Sequence, residues 1–359
     1  MSYVYDSCRP EMTGCKKKER IFPLLLFLDK TRYDTCKRKS MSTGTMEGLH
    51  TMKILVTGGA GFAGSHIVDT LIAAGHEVVV VDNLFTGSKA NLNPQAKFYE
   101  MDINDPALHD LIEREGIEAI SHQAAQIKVP LSIKDPGLDA EINIMGTIHV
   151  LEAARKFGLK IVFAASAAEY GTPEYLPLDE QHPLNPMSFY GLSKKVNEDY
   201  IRMYGELYGV NYTILRYANI YGPRQGRFGE GGVVSIFLEQ MIKGQPVNIE
   251  GDGGATRDYI YIGDVAQANL IALTSEKKLT VNISTATRVS VSELYVTMKE
   301  LTGYPLEATH GPARVGDIYH STMSNQLAAA ELGWKPETSL RDGLAKTIAW
   351  GRTVYGDAK

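Results

Sequence analysis

Three side chains in the middle of the sequence have the types and the spacing needed to take a proton from a hydroxyl group. Ser166 ends an apolar strand at 161–165, Tyr190 follows 24 residues later, and Lys194 lies four positions further on. If Tyr190 opens a helix, Lys194 lies one turn along the same face. An ammonium group beside a phenol stabilises the phenolate and lowers its pKa. A shift from about 10 towards 7 corresponds to roughly 4 kcal/mol and gives a base that works at neutral pH.

A tyrosine and a lysine at this spacing also occur on ordinary helices, so the glycine-rich loop near residue 57 matters. Strand 53–57 is followed by Gly58, Gly61 and Gly64, and a helical pattern starts near Phe62. Glycine at these positions permits a tight turn, close approach of the backbone to a pyrophosphate, and close packing of helix on strand. The helix N-terminus supplies N–H groups and a positive dipole for phosphates. The loop therefore predicts a dinucleotide site.

An acidic residue at the end of the second strand indicates which dinucleotide binds. Strand 77–81 runs into Asp82, 24 residues after Gly58. A carboxylate at this place accepts hydrogen bonds from the ribose hydroxyls and repels a 2′-phosphate. The cofactor expected from the sequence is therefore NAD rather than NADP.

The elements that must position these residues alternate between strand and helix. Further strands are expected at 97–101 and 119–122, and helices at 107–115 and 139–157. Such alternation predicts an α/β protein with a Rossmann-type, doubly wound parallel sheet. Ligands bind beyond the carboxyl ends of the strands in such a sheet. Four polar residues follow predicted strand ends: Asp82, Asp102, Gln126 and Ser166.

Composition excludes several other classes of protein. The 359-residue chain is 44% hydrophobic and 22% charged, and its net charge of −5 argues against nucleic-acid or anionic-membrane partners. No apolar run approaches the roughly 18 residues that a membrane helix needs. The nine histidines are scattered and no cysteine follows Met52, so we expect no metal site. The same lack of cysteine suits a cytoplasmic enzyme.

The first 51 residues differ from the remainder. They hold all three cysteines and carry a net charge of +4, with basic clusters on both sides of an apolar run at 21–28. That arrangement resembles a signal peptide, but the run is short, Pro23 interrupts it, and no small-residue cleavage site follows closely. The sequence favours translation from Met52 and predicts that residues 1–51 are an extension outside the folded core.

Four signatures together resemble the extended short-chain dehydrogenase/reductase family, most of all its UDP-sugar 4-epimerases. They are TGGAGFAG at 57–64, the Ser166, Tyr190 and Lys194 set, LRYANIYGPR at 215–224, and RDYIYI at 257–262. The resemblance covers about 52–350. It implies NAD-dependent interconversion of UDP-glucose and UDP-galactose, with Tyr190 as the base, Lys194 tuning it and holding the nicotinamide ribose, and Ser166 assisting at O4.

The resemblance also implies which residues contact the ligands. The expected cofactor wall consists of Gly58, Gly61, Phe62, Ala63, Gly64, Asp82, Asn83, Asp102, Ile103, Ala124, Ala125, Gln126, Tyr190, Lys194 and Tyr217. Some relatives place a lysine where this chain has Ile127. The substrate side is expected to include Ser166, Asn219, Arg257, Arg314 and Asp317, because arginine binds phosphate oxygens bidentately and Arg314 to Asp317 match an R-x-G-D turn. Ser321 replaces a tyrosine found in some epimerases, so N-acetylhexosamines are expected to fit as well.

The same resemblance predicts the domain organisation and the oligomeric state. An NAD-binding domain is expected at 52–217, with 258–285 returning to it. A smaller C-terminal α/β substrate-binding domain is expected at 218–257 and 286–359. Members of the family usually form homodimers, so the resemblance implies a homodimer here.

Four alternative functions share this fold: three are other nucleotide-sugar enzymes, and the fourth is a protein without catalytic activity. A nucleotide-sugar 4,6-dehydratase usually has an Asp-Glu pair after the catalytic serine or threonine, whereas Ala167 and Ala168 follow here, and Glu169 should point to the other side of the backbone. UDP-glucuronate decarboxylase usually keeps a glutamate at the position of Ala168. UDP-glucuronate 4-epimerase stays open. A non-catalytic dinucleotide sensor is disfavoured, because such proteins often lose the tyrosine or the lysine.

Overall fold

The computed structural model describes residues 51–226, 232–313 and 318–356. The strands are β1 (Lys53–Thr57), β2 (Glu77–Asp82), β3 (Lys97–Glu100), β4 (Ala119–His122), β5 (Lys160–Ser166), β6 (Tyr212–Tyr217), β7 (Asn219–Tyr221), β8 (Asn248–Glu250), β9 (Thr256–Arg257), β10 (Tyr259–Tyr261), β11 (Leu279–Ile283), β12 (Val289–Ser290) and β13 (Thr309–Gly311).

The helices connect and cover these strands. They are α1 (Phe62–Ala73), α2 (Ala107–Glu115), α3 (Val129–Lys134), α4 (Pro136–Ala140), α5 (Gly146–Phe157), α6 (Phe189–Leu207), α7 (Val233–Ile242), α8 (Ile262–Thr274), α9 (Val291–Thr302), α10 (Gln326–Leu332) and α11 (Leu340–Tyr355).

Seven strands form one parallel sheet in the order β11-β6-β5-β4-β1-β2-β3. The chain moves outward from β1 to β3 and then returns to β4 on the other side of β1, so the connections reverse direction between β1 and β4. A crevice for a ligand opens at such a switch point, beyond the carboxyl ends of the strands. The predicted Rossmann-type, doubly wound sheet is therefore confirmed.

Both faces of the sheet are buried, which explains why its strands are continuous apolar runs. Successive side chains point to opposite faces, so Ile54 and Val56 enter one hydrophobic cluster and Leu55 enters the other. A third cluster, centred on α7, α9 and α11, lies in the C-terminal part of the chain. These packed layers hold the carboxyl ends of β1, β2, β4 and β5 in fixed relative positions.

One predicted helix is interrupted where the site needs an unusual backbone. The helix expected at 139–157 consists of α4, a π-helical turn at Glu141–Met145, and α5. The turn contains Asn143, whose amide accepts from the Gln126 backbone N–H at 2.7 Å and donates to the Gln126 carbonyl at 2.9 Å. These two bonds to the segment after β4 accompany the wider turn, which apolar periodicity alone does not reveal.

Candidate active site

A cavity of about 690 Å³ lies along the carboxyl edge of the sheet, a volume typical of small-molecule sites. It reaches from the glycine loop after β1 to β9 in the C-terminal part. Every residue of the predicted cofactor wall lines it, as do Ser166, Asn219 and Arg257. The sequence-predicted residues of the two ligand sites, distant along the chain, are therefore brought together in one cavity.

The glycine loop is shaped for close approach by other groups. Gly58 has a φ of +69°, and a Cβ built on it would lie 2.7 Å from the backbone nitrogen of Ala124, across the β1–β4 switch point. A Cβ on Gly64 would lie 2.2 Å from the carbonyl oxygen of Gly58. Side chains are excluded at both positions, so α1 begins directly at the floor of the cavity with its N–H groups towards a ligand.

The acidic residue at the end of β2 is fixed by backbone donors. Asp82 accepts from the Ala60 N–H at 3.0 Å through Oδ2 and from the Leu84 N–H at 2.7 Å through Oδ1. Burial raises its pKa, and these backbone hydrogen bonds oppose the rise. Next to it, the Asn83 side chain donates to Asp102 Oδ2 at 2.7 Å. Each carboxylate still has free lone pairs with which to accept ligand hydroxyl groups.

Ser166, Tyr190 and Lys194 meet at the centre of the cavity. Ser166 is the last residue of β5, and α6 begins at Phe189 with Ser188 as N-cap, so Tyr190 stands in the first helical turn. The Ser166 and Tyr190 side chains both line the cavity, and the Ser166 hydroxyl acts to lower the Tyr190 pKa. Lys194, one turn later, is buried, and its ammonium donates to the Ala164 carbonyl at 2.7 Å. The three groups have the contacts that a proton-transfer site requires.

The expected lowering of the Tyr190 pKa is wrong for the chain without ligand. Tyr190 keeps some exposed surface towards the cavity, yet burial of its phenol raises the pKa to about 12, and the Ser166 hydroxyl offsets only part of this rise. Burial also lowers the pKa of Lys194 to about 8. The ammonium group of Lys194 donates to the backbone carbonyl of Ala164, 30 positions earlier in the sequence. Desolvation therefore outweighs the effect that the sequence spacing suggests.

A network of amides supports the site from behind. The side-chain amide of Asn143 donates to Ser193 Oγ at 3.0 Å, and the backbone carbonyl of Asn143 accepts from the Asn197 side chain at 2.9 Å. Gln126 donates to Asp139 Oδ1 at 2.7 Å. The sequence predicted only that Asn143 lies on a helix. It did not predict the π-helical turn, which directs Asn143 towards both the segment after β4 and α6.

The substrate side of the cavity is less complete in the described residues. Arg257 is half-buried and its Nη1 donates to the carbonyls of Thr256 and Tyr319, at 2.9 and 3.3 Å. The predicted contacts Arg314 and Asp317 lie outside the described residues. Ser321 donates its backbone N–H to the Thr256 carbonyl at 3.1 Å, and it is not among the described residues that line the cavity.

Several lining residues were not singled out by sequence reasoning. Those of the C-terminal part are Gln225, Val233, Phe237, Asn248, Glu250 and Val291. They come from four separate segments of the sequence, so no local motif identifies them. Gln225 belongs to a stretch rich in proline, glycine and arginine that begins at Gly222, and this composition is the one sequence signal that could have indicated its neighbourhood.

Two structural features are absent from the described part of the chain. No cluster of three or more histidine, cysteine or acidic side chains there has the geometry of a metal site. None of the described helices combines the length and apolar character needed to cross a bilayer.

With this geometry in place, the comparison with known proteins identifies the family. The chain belongs to the NAD dependent epimerase/dehydratase family, which it matches over residues 54–284. A UDP-glucose 4-epimerase of Mycolicibacterium smegmatis is 40% identical over 309 residues, which span 84% of this chain and 99% of the relative. Resemblance to the extended short-chain dehydrogenases and to their UDP-sugar epimerases is thereby confirmed.

Solved structures of relatives agree with this assignment. UDP-glucose 4-epimerase of Thermotoga maritima, solved with UDP-glucose, is 42% identical with a TM-score of 0.82, covering 84% of this chain and 99% of that protein. The Thermus thermophilus enzyme, solved with NAD, is 41% identical with a TM-score of 0.79 and the same coverage. The shared architecture extends over nearly the whole length of both relatives.

Proposed function

We propose that this protein is an NAD-dependent UDP-sugar 4-epimerase that interconverts UDP-glucose and UDP-galactose. The observation that carries the proposal is the single cavity in which the dinucleotide loop, the Ser166, Tyr190 and Lys194 set, and Arg257 all meet. A sugar held there lies within reach of both a nicotinamide cofactor and a proton acceptor. The relatives with this fold are UDP-glucose 4-epimerases, and one was solved with UDP-glucose.

The chain's residues fit NAD. Gly58 and Gly64 leave no space for side chains where a pyrophosphate must approach, and the first turn of α1 offers N–H groups to it. Asp82 accepts the ribose hydroxyls, while Lys194 and Tyr190 lie where the nicotinamide ribose would be held. When bound, NAD supplies a reversible hydride acceptor for C4 of the sugar.

Tyr190 acts as the general base on the sugar 4-hydroxyl, and Ser166 holds the same oxygen by a hydrogen bond. As C4 is oxidised to a ketone, the proton passes to the phenolate oxygen, and it returns to O4 when the opposite face of C4 is reduced. Because burial raises the Tyr190 pKa to about 12, positive charge beside the phenol would favour the phenolate. Lys194, one helical turn away, is a cationic side chain of the site, and oxidised NAD held there would add a second positive charge.

The substrate diphosphate is held by arginine. Arg257 lines the cavity, and with Arg314 it would bind the two phosphates, while Asn219 and Asp317 would complete the site. The small side chain of Ser321 leaves room for a 2-acetamido group in our interpretation. UDP-N-acetylglucosamine should therefore turn over as well, and the absence of any N-acetyl activity would refute that extension alone.

The test of the proposed function is incubation of the purified chain, with NAD added, with a panel of UDP-hexoses followed by chromatographic separation. We expect UDP-galactose from UDP-glucose and the reverse reaction to the same equilibrium. UDP-glucuronate in the panel tests the sister 4-epimerisation. If every UDP-hexose is recovered unchanged and no nicotinamide nucleotide binds, the proposed function is refuted.

A homodimer through α6 is part of the proposal. The inner face of this helix packs on the sheet, whereas Phe189, Leu192, Met203 and Leu207 on its outer face are 43–64% exposed. An apolar stripe of this length on one helix is typical of an interface between two copies. Met203→Glu should convert a dimer to a monomer in sedimentation. Val296→Glu, at a 51% exposed valine on α9, is the matched control and should leave the dimer intact.

Two further features complete the proposal. We divide the folded chain into an NAD-binding domain at 52–217 with 258–285, and a substrate domain at 218–257 with 286–359. We assign the protein to the cytoplasm, since its chain has no cysteine after Met52 and so needs no oxidising compartment. Fractionation of the producing cells would test the assignment.

A further inference from the structure

Two buried carboxyl groups lie close to the end of β5, and neither belongs to a residue that lines the cavity. Glu169 and Glu198 have no exposed surface, and Arg216 is also buried. Arg216 binds Glu198 with a two-pronged contact, Nε to Oε1 and Nη2 to Oε2, both at 2.8 Å. The same guanidinium reaches Glu169 Oε2 only at 4.0 Å. The Arg216 guanidinium is therefore hydrogen bonded to Glu198 and not to Glu169.

Glu169 holds the backbone of Ser166 through a capping box. The Ser166 N–H donates to Glu169 Oε1 at 3.0 Å, and Ser166 Oγ accepts from the Ala168 N–H at 3.2 Å. The residues between them form a single 3-10 turn, Ala167–Glu169. Reciprocal bonds of this kind fix the direction in which the chain leaves a strand. The orientation of Ser166 consequently depends on the position of the Glu169 carboxyl group.

The second oxygen of Glu169 shows which protonation state the site requires. Within the described residues no N–H or O–H group donates to Oε2, although this atom is fully buried. The charge that acts most strongly on this carboxyl group is that of Glu198, whose ionised side chain can only accept. Two neighbouring carboxyl groups form a hydrogen bond only when one of them carries a proton. Glu198 keeps the negative charge because Arg216 and Arg202 both contact it, so the proton belongs to Glu169.

The titration behaviour of the two acids agrees with this assignment. Burial, and then repulsion by Glu198, raises the pKa of Glu169 well above its usual value. Burial acts in the same direction on Glu198, but the hydrogen bonds and charge of Arg216 outweigh it and lower that pKa.

We propose that Glu169 is a positioning residue for Ser166, a neutral carboxylic acid that accepts the Ser166 amide through one oxygen and donates from the other to Glu198. It ties the end of β5 to the Glu198–Arg216 pair and so fixes the hydroxyl that holds the sugar O4. This inference rests on the proposed function. Neutrality matters because an ionised Glu169 would place a negative charge near Tyr190 and oppose formation of the phenolate.

Two substitutions test the hydrogen bonds separately from the charge. Glu169→Gln keeps a neutral group with one acceptor and one donor, so its kcat for UDP-glucose should stay close to that of the full-length wild type with NAD. Glu169→Leu fills the space but leaves the Ser166 N–H unpaired, so kcat should fall about 10- to 100-fold with little change in KM. Glu293→Leu removes another capping box, with Ser290 on α9, and is the control for loss of such a box.

A spectroscopic measurement reports on the proton without any turnover. The infrared difference spectrum between wild type and Glu169→Gln should contain the C=O band of a protonated carboxylic acid. A missing band overturns the assignment of the proton. Unchanged kcat in Glu169→Leu, or an equal loss in the glutamine variant, overturns the positioning role. Should the leucine variant not fold, Glu169→Asp, which is too short to span both contacts, replaces it with the same expected loss.

The proposed function and the role of Glu169 can be refuted independently of each other. A wild type that binds NAD but converts no UDP-hexose would refute the epimerase proposal and the catalytic consequence drawn for Glu169. The infrared band would still decide whether Glu169 is neutral. Activity in the wild type with unchanged activity in Glu169→Leu refutes the positioning role alone.

Discussion

The two sides of the cavity are built in different ways. On the side of β1 and β2, the wall is backbone: Gly58 and Gly64 exclude side chains, and Asp82 is held by two N–H groups. On the side of β9, the wall consists of side chains from separate segments, and Arg257 currently donates to protein carbonyls. The first side is formed before a ligand arrives, whereas the second must exchange some of its internal contacts for contacts with phosphate.

The substitution with the largest expected effect distinguishes NAD binding from catalytic turnover. Tyr190→Phe removes the proton acceptor while leaving the backbone wall intact, so kcat should fall by about 10²–10⁴-fold and NAD should stay bound. Tyr200→Phe, at an exposed tyrosine on the same helix, is the matched control and should keep its activity. Substantial turnover by Tyr190→Phe would show that another group takes the proton.

The backbone wall itself can be broken at Gly64. Because a Cβ there would lie 2.2 Å from the Gly58 carbonyl oxygen, Gly64→Ala should displace the loop, weaken NAD binding about tenfold or more, and lower the free energy of unfolding by about 1–3 kcal/mol. Gly137→Ala is the control, since its Cβ would meet only the Asp135 carboxylate at 3.6 Å. Calorimetric titration with NAD measures the difference. Equal affinities for the two variants would contradict a preformed wall.

The side-chain wall should respond in substrate affinity rather than in turnover. Arg257→Ala removes a guanidinium from the expected diphosphate site, so KM for UDP-glucose should rise about tenfold while kcat changes little. Arg288→Ala, at an exposed arginine nearby in the chain, should leave both constants unchanged. A fall in kcat with constant KM would mean that Arg257 acts on the reacting centre instead.

The smallest predicted effect concerns a buried histidine beneath the backbone wall. His122 Nδ1 lies 2.7 Å from Thr57 Oγ1, Nε2 lies 3.1 Å from Thr147 Oγ1, and burial lowers its pKa from 6.5 to about 3. Between those values the unfolded chain binds one more proton than the folded chain, so stability falls as pH decreases from 6.5. The slope contributed is at most about 1.4 kcal/mol per pH unit.

The histidine prediction is checked by denaturant titrations across that pH range. Other acids titrate there too, so the comparison is between wild type and His122→Gln, which cannot titrate. The wild type should lose stability more steeply than the variant as pH falls. Parallel curves would show that the pKa of His122 is the same in the folded and the unfolded chain.

The contrast between the two walls also explains how much could be predicted from the sequence. Gly58, Gly64 and Asp82 follow rules of local backbone geometry, so their place after β1 and β2 was correctly expected. The pKa of Tyr190 was not correctly predicted, because desolvation depends on all the groups packed around the phenol. The spacing to Lys194 describes only one of those neighbours. The buried carboxyl groups of Glu169 and Glu198 come from positions 29 apart in sequence, and no motif connects them.

Ser321 illustrates the same limit on the substrate side. Its small size predicts acceptance of N-acetylhexosamines, yet it contacts Thr256 through its backbone and is not among the described residues of the cavity wall. Its influence on the sugar depends on neighbouring segments that sequence spacing cannot place. A comparison of UDP-N-acetylglucosamine turnover in wild type and Ser321→Tyr would measure that influence.

Reversible oxidation at C4 is tested most directly with UDP-glucose that carries deuterium at C4. If hydride leaves C4 and returns to the opposite face within one cavity, the UDP-galactose formed in ordinary water should retain its deuterium. Mass spectrometry of the separated product measures this. Retention is the result we predict, and UDP-galactose that has exchanged its deuterium for solvent hydrogen would contradict the mechanism.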